Sequence, residues 1–262
     1  MYNRILSKNL NVYSERQNIL KEGHKKVIIK SSIRKSMVLR EIRTILREPS
    51  NFINCVVMTI YMPIFLLIFI LKGNILSESS SIFRDSVIIG ATFMATVLTI
   101  SGNYLASTDL SREEKEVLVS KYIPVDYKIQ IQAKIIVCLI VNSLSFILGI
   151  ALLILLKASP SLWIMSLLIQ RGTIILISLW GVILDYLSPR LQWTDTKSLY
   201  SKNFKPLLIM LVSLIIGSLN IGLVFIGSPF ILFLRDISLI LIISFILYKF
   251  LMKKGLEVYK RV

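Results

Sequence analysis

The 262-residue chain is 55% hydrophobic, has a mean hydropathy of +0.72 and carries a formal net charge of +16. Its apolar residues occur in runs of about twenty, the length at which a helix crosses roughly 30 Å of hydrocarbon. These runs exclude a soluble globular protein and predict an all-α membrane protein. The basic charge alone would also suit a nucleic-acid-binding protein, so its distribution along the chain has to decide between the two.

The region before the first apolar run has two parts. Residues 1–30 are polar and of mixed charge, and we expect them to form a loosely ordered cytosolic arm. Residues 31–51 contain an amphipathic pattern over 33–47, which has apolar residues on one face and Arg40, Arg43 and Arg47 on another. This pattern predicts a helix in the membrane interface with its arginines at lipid phosphates. A basic anchor without any mechanical role fits the same pattern.

The apolar runs predict a six-span domain over residues 52–251, followed by a cytosolic tail over 252–262. Pro63 is expected to kink the first span. The residues 227–232 are rather apolar and could dip back into the membrane as a re-entrant piece. The six predicted spans are 52–71, 87–105, 135–156, 162–184, 206–226 and 237–251.

The positive charges alternate strictly between successive loops. Of the 31 Lys and Arg residues, 26 lie in 1–51, 106–134, 185–205 and 249–262. The alternate loops hold only Lys72, Arg84, Lys157 and Arg235. This alternation is the positive-inside rule, which places both termini in the cytoplasm. The excess charge therefore encodes topology and attraction to membrane lipids, and no nucleic-acid partner is expected.

The segment 111–134 is polar and helix-patterned although it lies between two apolar runs. Ser111 and Glu114 have the spacing of a capping box, which predicts a short helix over 112–122. Acidic residues would lie near its N-terminus and a lysine near its C-terminus, as the helix dipole favours. Pro124 would end this helix, and Asp126 would cap the next. The residues of this candidate contact surface are Ser111, Arg112, Glu113, Glu114, Glu116, Leu118, Lys121, Tyr122 and Pro124. A solvated connecting loop is the alternative.

Polar residues inside the predicted spans are the first candidates for a transport pathway. Arg171 follows Gln170 near the middle of the fourth span, and Asn220 lies in the fifth. Arg171 could line a pathway or bind an anionic group, but it could equally snorkel to the interface. The asparagines of the spans, Asn220 included, more often join helices by hydrogen bonds than bind ligands.

Small residues in the fifth span form two pairs at a spacing of four, which permits close helix approach. They are Ser213 with Gly217 and Ser218 with Gly222. Packing within one subunit is the default interpretation, and a dimer contact is the alternative.

The sequence lacks the motifs that several kinds of binding site and catalytic site require. No phosphate-binding P-loop motif occurs in the chain, and the only histidine, His24, lies in the arm. Cys55 and Cys138 have no metal-ligand spacing and are expected to be small apolar fillers. We therefore predict neither an enzyme nor a bound cofactor or metal.

Two polar segments carry a resemblance to a known family. The first consists of Ser111-Arg112-Glu113, the run Lys121-Tyr122-Ile123-Pro124-Val125 and Ala133-Lys134. The second is the stretch 185–195, DYLSPRLQWTD. Together with the span pattern, these segments resemble the membrane subunit of a type-2 ABC exporter, in a group of bacterial ABC exporter permeases. Glu114 stands where that group commonly has glycine, and Arg190 where it commonly has lysine.

The resemblance implies a permease of the bacterial cytoplasmic membrane that exports an unidentified substrate. ATP and Mg²⁺ would be bound by a separate ATPase subunit, whose motion would enter through the coupling helix 112–122. The helix over 31–51 would be the connecting helix beside it. A working transporter would need a second six-span half, as a homodimer or heterodimer. The chain resembles the second half of a longer permease.

Two other classes of protein remain open at this point. A secondary transporter would need no ATPase, but the spans lack acidic residues and any evident inverted repeat. A non-transporting membrane protein, such as an immunity or scaffold factor, would need only the short outer loops.

Overall fold

The structure, a computed structural model, describes residues 32–61, 64, 68, 81–114, 117, 122–155, 157–223, 228–255 and 257–258. Within these ranges only the backbone is described at 81–84, 148, 152 and 217–223. The described residues form helices and turns and contain no strand. The predicted all-α class is therefore confirmed for the part of the chain that the structure covers.

Nine α-helices follow one another along these ranges. The first two are α1 (Ile33–Arg47) and the short α2 (Pro49–Phe52), which continues into a wider π-helical turn, Ile53–Val57. The others are α3 (Ser81–Ser101), α4 (Tyr127–Asn142), α5 (Ser145–Leu155), α6 (Pro160–Leu187), α7 (Thr196–Ser201), α8 (Lys205–Leu223) and α9 (Pro229–Phe250), which ends in a second π-helical turn, Leu251–Gly255.

Local sequence signals set several helix ends. The predicted cap at Asp126 is confirmed, since its carboxylate accepts a hydrogen bond from the Lys128 backbone N–H at 3.0 Å. Pro160 and Pro229 occupy the first position of α6 and α9, where a missing N–H costs nothing. The re-entrant piece predicted at 227–232 is wrong from Pro229 onward, because these residues form the first turn of α9.

Four helical stretches are long and apolar enough to cross a membrane. They are Tyr127–Leu155, Pro160–Leu187, Thr196–Ile216 and Pro229–Gly255, and they overlap the third to sixth predicted spans, the fifth with a shift of ten residues. In the second predicted span, the apolar helix Asp85–Ser101 is shorter. Pro63 and most of the second half of the first predicted span lie outside the described residues, as do the arm 1–30 and the end of the tail.

Helix α6 is at the centre of the bundle. It packs against α3, α4, α5, α8 and α9, and α3 in turn packs against α8 and α9. One apolar cluster lies where α6 and α9 end, and a second fills the rest of the bundle. We call the end that holds the first cluster the basic end, since Lys128, Arg190, Lys202 and Lys249 lie there.

Helix α1 lies across the basic end, and its bounds agree with the prediction. Its apolar face, with Val38, Ile42 and Ile45, packs into the first apolar cluster, and α1 contacts α4. Ile45 is fully buried. The part of the apolar face around Ile45 is thus covered by protein, whereas Leu46, Arg43 and Arg47 remain exposed.

Polar side chains join helices inside the bundle. The Asn103 amide donates to Thr59 Oγ1 at 3.1 Å and to Asn142 Oδ1 at 2.9 Å, and the Asn142 amide donates to Ser178 Oγ at 2.9 Å. The helix-joining interpretation is confirmed for Asn103 and Asn142. Asn54 differs, because its amide donates to the Ser50 carbonyl of its own turn.

Candidate functional site: a buried ion network at the basic end

Asp185 is the best-connected acidic side chain at the basic end. It is fully buried near the end of α6, and Oδ2 accepts the backbone N–H groups of Leu110 at 2.6 Å and Ser111 at 2.9 Å. Its Oδ1 accepts the Ser111 hydroxyl and the Lys205 ammonium, each at 2.5 Å. A buried carboxylate is stable only with such partners. Asp185 therefore fixes the 110–111 turn against α6 and α8.

Arg112 follows directly and points into the protein. One guanidinium nitrogen, Nη1, donates to the Leu105 carbonyl at 2.6 Å and to Thr108 Oγ1 at 3.1 Å. The other, Nη2, lies 3.4 Å from Asp109 Oδ1. Only 9% of Arg112 is exposed. The guanidinium therefore bonds together the turns of 105–112.

Lys134 of α4 connects this segment to α1. Its buried Nζ lies 3.1 Å from Glu113 Oε1 and 3.6 Å from Glu41 Oε2, and it donates to the Asp109 carbonyl at 3.1 Å. Arg40 of α1 lies 3.7 Å from the same Glu113 oxygen. One lysine thus joins three segments, and breaking a buried pair of this kind typically costs about 3–5 kcal/mol.

Asp109 is the least satisfied acid of the network. Its side chain is buried, and within the described structure Oδ2 has no hydrogen-bond partner. Burial raises the pKa of Asp109 to about 7, although Lys134 and Arg112 act in the opposite direction. For Glu41, burial is also the largest influence, but Lys134 and Arg112 outweigh it and hold its pKa below the usual value.

The network extends to the start of the first predicted span. Tyr200 of α7 donates from its hydroxyl to Asn51 Oδ1 at 2.5 Å, and the same hydroxyl lies 3.8 Å from Cys55 Sγ. Cys55 Sγ is also 3.6 Å from Arg112 Nη1. Both cysteines are free and buried, as expected of fillers, but Cys55 contacts polar groups as well.

A recess of about 450 Å³ opens beside the network. It lies between Glu114 and the stretch that follows α6, where Trp193 donates its indole N–H to the Ser111 carbonyl at 3.0 Å. The Arg190 backbone N–H donates to Ser111 Oγ at 2.9 Å, and its guanidinium donates to the Lys202 carbonyl. The recess is lined by Glu114, Arg190, Leu191, Gln192, Trp193, Thr194, Ser198 and Lys202. The two resembling sequence segments therefore meet in space.

The predicted capping box and helix start are wrong. Ser111–Glu113 form a single 3₁₀ turn, and the Ser111 hydroxyl bonds to Asp185 instead of capping a helix. Glu114 then has φ 47° and ψ −122°, a backbone conformation that glycine adopts without penalty and other residues rarely adopt. The Ser111 hydroxyl donates to the carboxylate of Asp185, which lies 74 positions along the chain. A rule based on the local spacing of Ser111 and Glu114 could not predict this contact.

The other predicted contact residues divide into two groups. Tyr122 and Pro124 are exposed, Tyr122 by 87%. Glu116, Leu118 and Lys121 lie outside the described residues. Arg112 and Glu113 are buried or nearly so, and they make internal contacts. The exposed part of the segment therefore includes Glu114, which is half-exposed, and 122–124.

The candidate pathway residues point in different directions. Gln170 is buried and donates to the Ser145 carbonyl at 3.1 Å, whereas Arg171 is exposed on the outer face of α6. Arg171 therefore does not line an interior channel of the described bundle. The side chain of Asn220 lies outside the description. Ser213 is buried within the subunit, while the side chains at 217–222 are not described, Gly217, Ser218 and Gly222 among them.

Sequence reasoning did not single out Asp109, Lys205 or Glu41, and it used Lys134 and Asp185 only as parts of the two resembling segments. Four of these charges, at 109, 134, 185 and 205, carried a signal, because each lies within a few residues of an apolar run, where a lone charge would be costly. Their pairing depends on contacts across as many as 93 positions, between Lys134 and Glu41, and no local pattern encodes such pairs.

The described residues contain no group of three or more His, Cys, Asp and Glu side chains that could hold a metal ion. Comparison with protein-family models, with curated proteins and with solved structures finds no match to this chain.

Proposed function

We propose that this chain is the permease subunit of an ABC exporter, moving an unidentified substrate out of the cytoplasm. In this proposal it spans a bacterial cytoplasmic membrane six times, with both termini and the basic end in the cytoplasm. The loop charges support this orientation through the positive-inside rule. The four long apolar helices support a multi-pass protein.

The observation that carries the proposal is the ion network. It joins the 109–113 turn to α1 through Glu41 and Arg40, to α4 through Lys134, and to α6 through Asp185. A force applied to the neighbouring exposed residues would therefore act on three helices together. Coupling through packed elements needs such a contiguous, stiff connection.

The backbone at Glu114 gives separate support. The resembling permeases commonly have glycine at this position, and Glu114 has a positive φ that favours glycine. A loop that merely connected two spans would have no need of this strained conformation. The same backbone shape would suit a shared docking turn, which this chain forms at some cost in free energy.

The energy source would be a separate chain. No P-loop motif occurs in the sequence, so ATP and Mg²⁺ would be bound by an ATPase subunit. We propose that this subunit contacts Tyr122, Pro124 and the rim of the recess beside Glu114. A second six-span half would complete the transporter.

The test is affinity isolation of the tagged chain from its native membranes in mild detergent. The expected result is a co-isolated chain with a P-loop motif and an ATP hydrolysis rate that depends on the permease. Tyr122→Asp places a charge at the proposed contact and should reduce both co-isolation and ATP hydrolysis at least tenfold. Phe230→Asp is the matched control, because Phe230 is exposed at the opposite end of the bundle.

The alternatives give different results. A secondary transporter or a scaffold would be isolated without an ATPase. If an ATPase is isolated but Tyr122→Asp and Phe230→Asp behave alike, the docking surface is wrong while the transporter class stands.

A further inference from the structure

An apolar groove of about 610 Å³ runs along the outer side of the bundle between α6 and α9. Its volume is in the range of ligand sites. Leu179 is buried at its floor, while Leu241 and Phe245 are exposed along its wall. The lining residues are Ile175, Leu179, Leu241, Ile242, Ser244, Phe245, Ile246 and Tyr248. Because 241 to 248 span about two helical turns, the groove extends roughly 10 Å along α9.

The end of the groove nearest the basic end is polar and cationic. The Tyr248 hydroxyl accepts a hydrogen bond from the Gln132 amide of α4 at 3.1 Å. Lys249 Nζ lies 5.5 Å from the centroid of the Phe245 ring, which forms the wall. Lys128 is exposed one helical turn nearer the basic end than Gln132, on the same face of α4. The groove therefore combines an apolar channel with two exposed lysines, Lys128 and Lys249, toward the basic end.

Ser244 is a second, independent feature of the groove. It is 92% buried, and its hydroxyl has no hydrogen-bond partner among the residues that the structure describes. A buried hydroxyl without a partner has lost its hydrogen bonds to water and gained none in exchange, which is unfavourable. Ser244 precedes Lys249 by five residues, about 7.5 Å along the helix. A ligand with an acceptor at that depth would satisfy it.

Two occupants could cover an apolar groove on a membrane helix, a lipid or another copy of this chain. Arg171 is exposed one turn before Ile175 on the same side of α6. A two-fold contact through this face would bring two Arg171 side chains toward each other in a low-dielectric setting, where like charges repel strongly. Lys128 and Lys249, which lie at the depth of the lipid head groups, suit an anionic head group instead.

We propose that this groove is a specific site for an anionic phospholipid of the leaflet at the basic end. One acyl chain lies between α6 and α9, the phosphate lies at Lys249 near the Tyr248–Gln132 pair, and an ester carbonyl accepts the Ser244 hydroxyl. The site does not depend on the exporter function proposed above.

The purified chain in detergent is titrated with phosphatidylglycerol and, separately, with phosphatidylcholine, and bound lipids are counted by native mass spectrometry. The expected result is one phosphatidylglycerol that binds at least tenfold more tightly than phosphatidylcholine. Lys249→Gln should weaken phosphatidylglycerol binding about fivefold, since one lysine near a lipid phosphate contributes about that factor. Leu241→Trp, which fills the groove, should weaken both lipids.

Matched controls use residues with similar exposure outside the groove. Lys253→Gln and Leu239→Trp should leave the first binding step unchanged, because Lys253 and Leu239 are exposed but do not line it. Equal binding of the two lipids, or unchanged binding in both Lys249→Gln and Leu241→Trp, would overturn the proposal. So would a dimer that forms without bound lipid and is abolished by Leu241→Trp.

Discussion

Removing the charge of Asp185 tests whether the ion network holds the basic end together. Asp185→Asn keeps the shape and one carbonyl oxygen, which can still accept the two backbone N–H groups now held by Oδ2. The new amide group instead faces the Lys205 ammonium, which stood 2.5 Å from Oδ1. Because Asp185 is 0% exposed and Lys205 is only 16% exposed, water cannot fully replace the lost contact.

The expected loss of stability is about 3 kcal/mol, the lower end of what breaking a buried pair costs. Lys205→Met should cost less, about 2 kcal/mol, because Asp185 keeps its three hydrogen bonds to Leu110 and Ser111. The double variant removes both charges, so its loss should fall short of the sum by roughly 1–3 kcal/mol. Lys202→Met, at an exposed lysine nearby, should change stability by less than about 0.5 kcal/mol.

The assay is reversible unfolding in mixed micelles of mild detergent and dodecyl sulfate, followed by tryptophan emission. Trp193 is a suitable reporter because its indole bonds to the Ser111 carbonyl. If the two single losses add within about 0.5 kcal/mol in the double variant, Asp185 and Lys205 are not coupled. The ion network would then not hold the helices of the basic end together.

Three further predictions concern single residues. Burial raises the pKa of Asp109 from an ordinary value of 3.8 to about 7, so the folded state favours the protonated carboxyl. The stabilising effect is complete below about pH 4 and is lost as pH rises to about 7, so Asp109→Asn should gain stability relative to the parent between pH 4 and 7, and a constant difference across that range would contradict this. Glu114→Gly should stabilise the chain by about 1 kcal/mol in the same unfolding assay, because glycine adopts a positive φ without strain. A loss of stability, as glycine causes at ordinary backbone positions, would show that the backbone at Glu114 is not strained. Gln170→Leu should cost about 1 kcal/mol by removing its bond to Ser145, while the exposed Arg171→Leu should cost nothing; the reverse order would show that Arg171 has a structural partner.

The sequence was sufficient for the features that depend on neighbouring residues. The apolar runs predicted long apolar helices where the structure has four that could cross a membrane, and the amphipathic period over 33–47 predicted the bounds of α1. The Asp126 cap followed from its position before a helical pattern. In each case the physical signal is contained within one or two helical turns, so tertiary contacts did not need to be known.

The site depended on contacts between distant residues, and there the local patterns failed. Ser111 fitted a capping box, but its hydroxyl donates a hydrogen bond to Asp185 Oδ1 at 2.5 Å. Arg112 and Glu113 resembled a solvated surface, yet they are buried because Asp109 and Lys134 pair with them. A charge beside an apolar run is the signal that could have indicated a buried network, although it does not identify the partners.

The central claim is that the exposed residues after Glu114 contact a separate ATPase. Cys55 and Cys138 are buried, so a cysteine placed at Tyr122 would be the accessible thiol of the described region. Native membranes carrying Tyr122→Cys would be treated with a short thiol–amine crosslinker, and the products identified by mass spectrometry, with Phe230→Cys as the control. The account predicts a crosslink from position 122, and none from position 230, to a chain that carries a P-loop motif. Crosslinks from position 122 to lipid or other proteins only, with no ATPase among them, would contradict it.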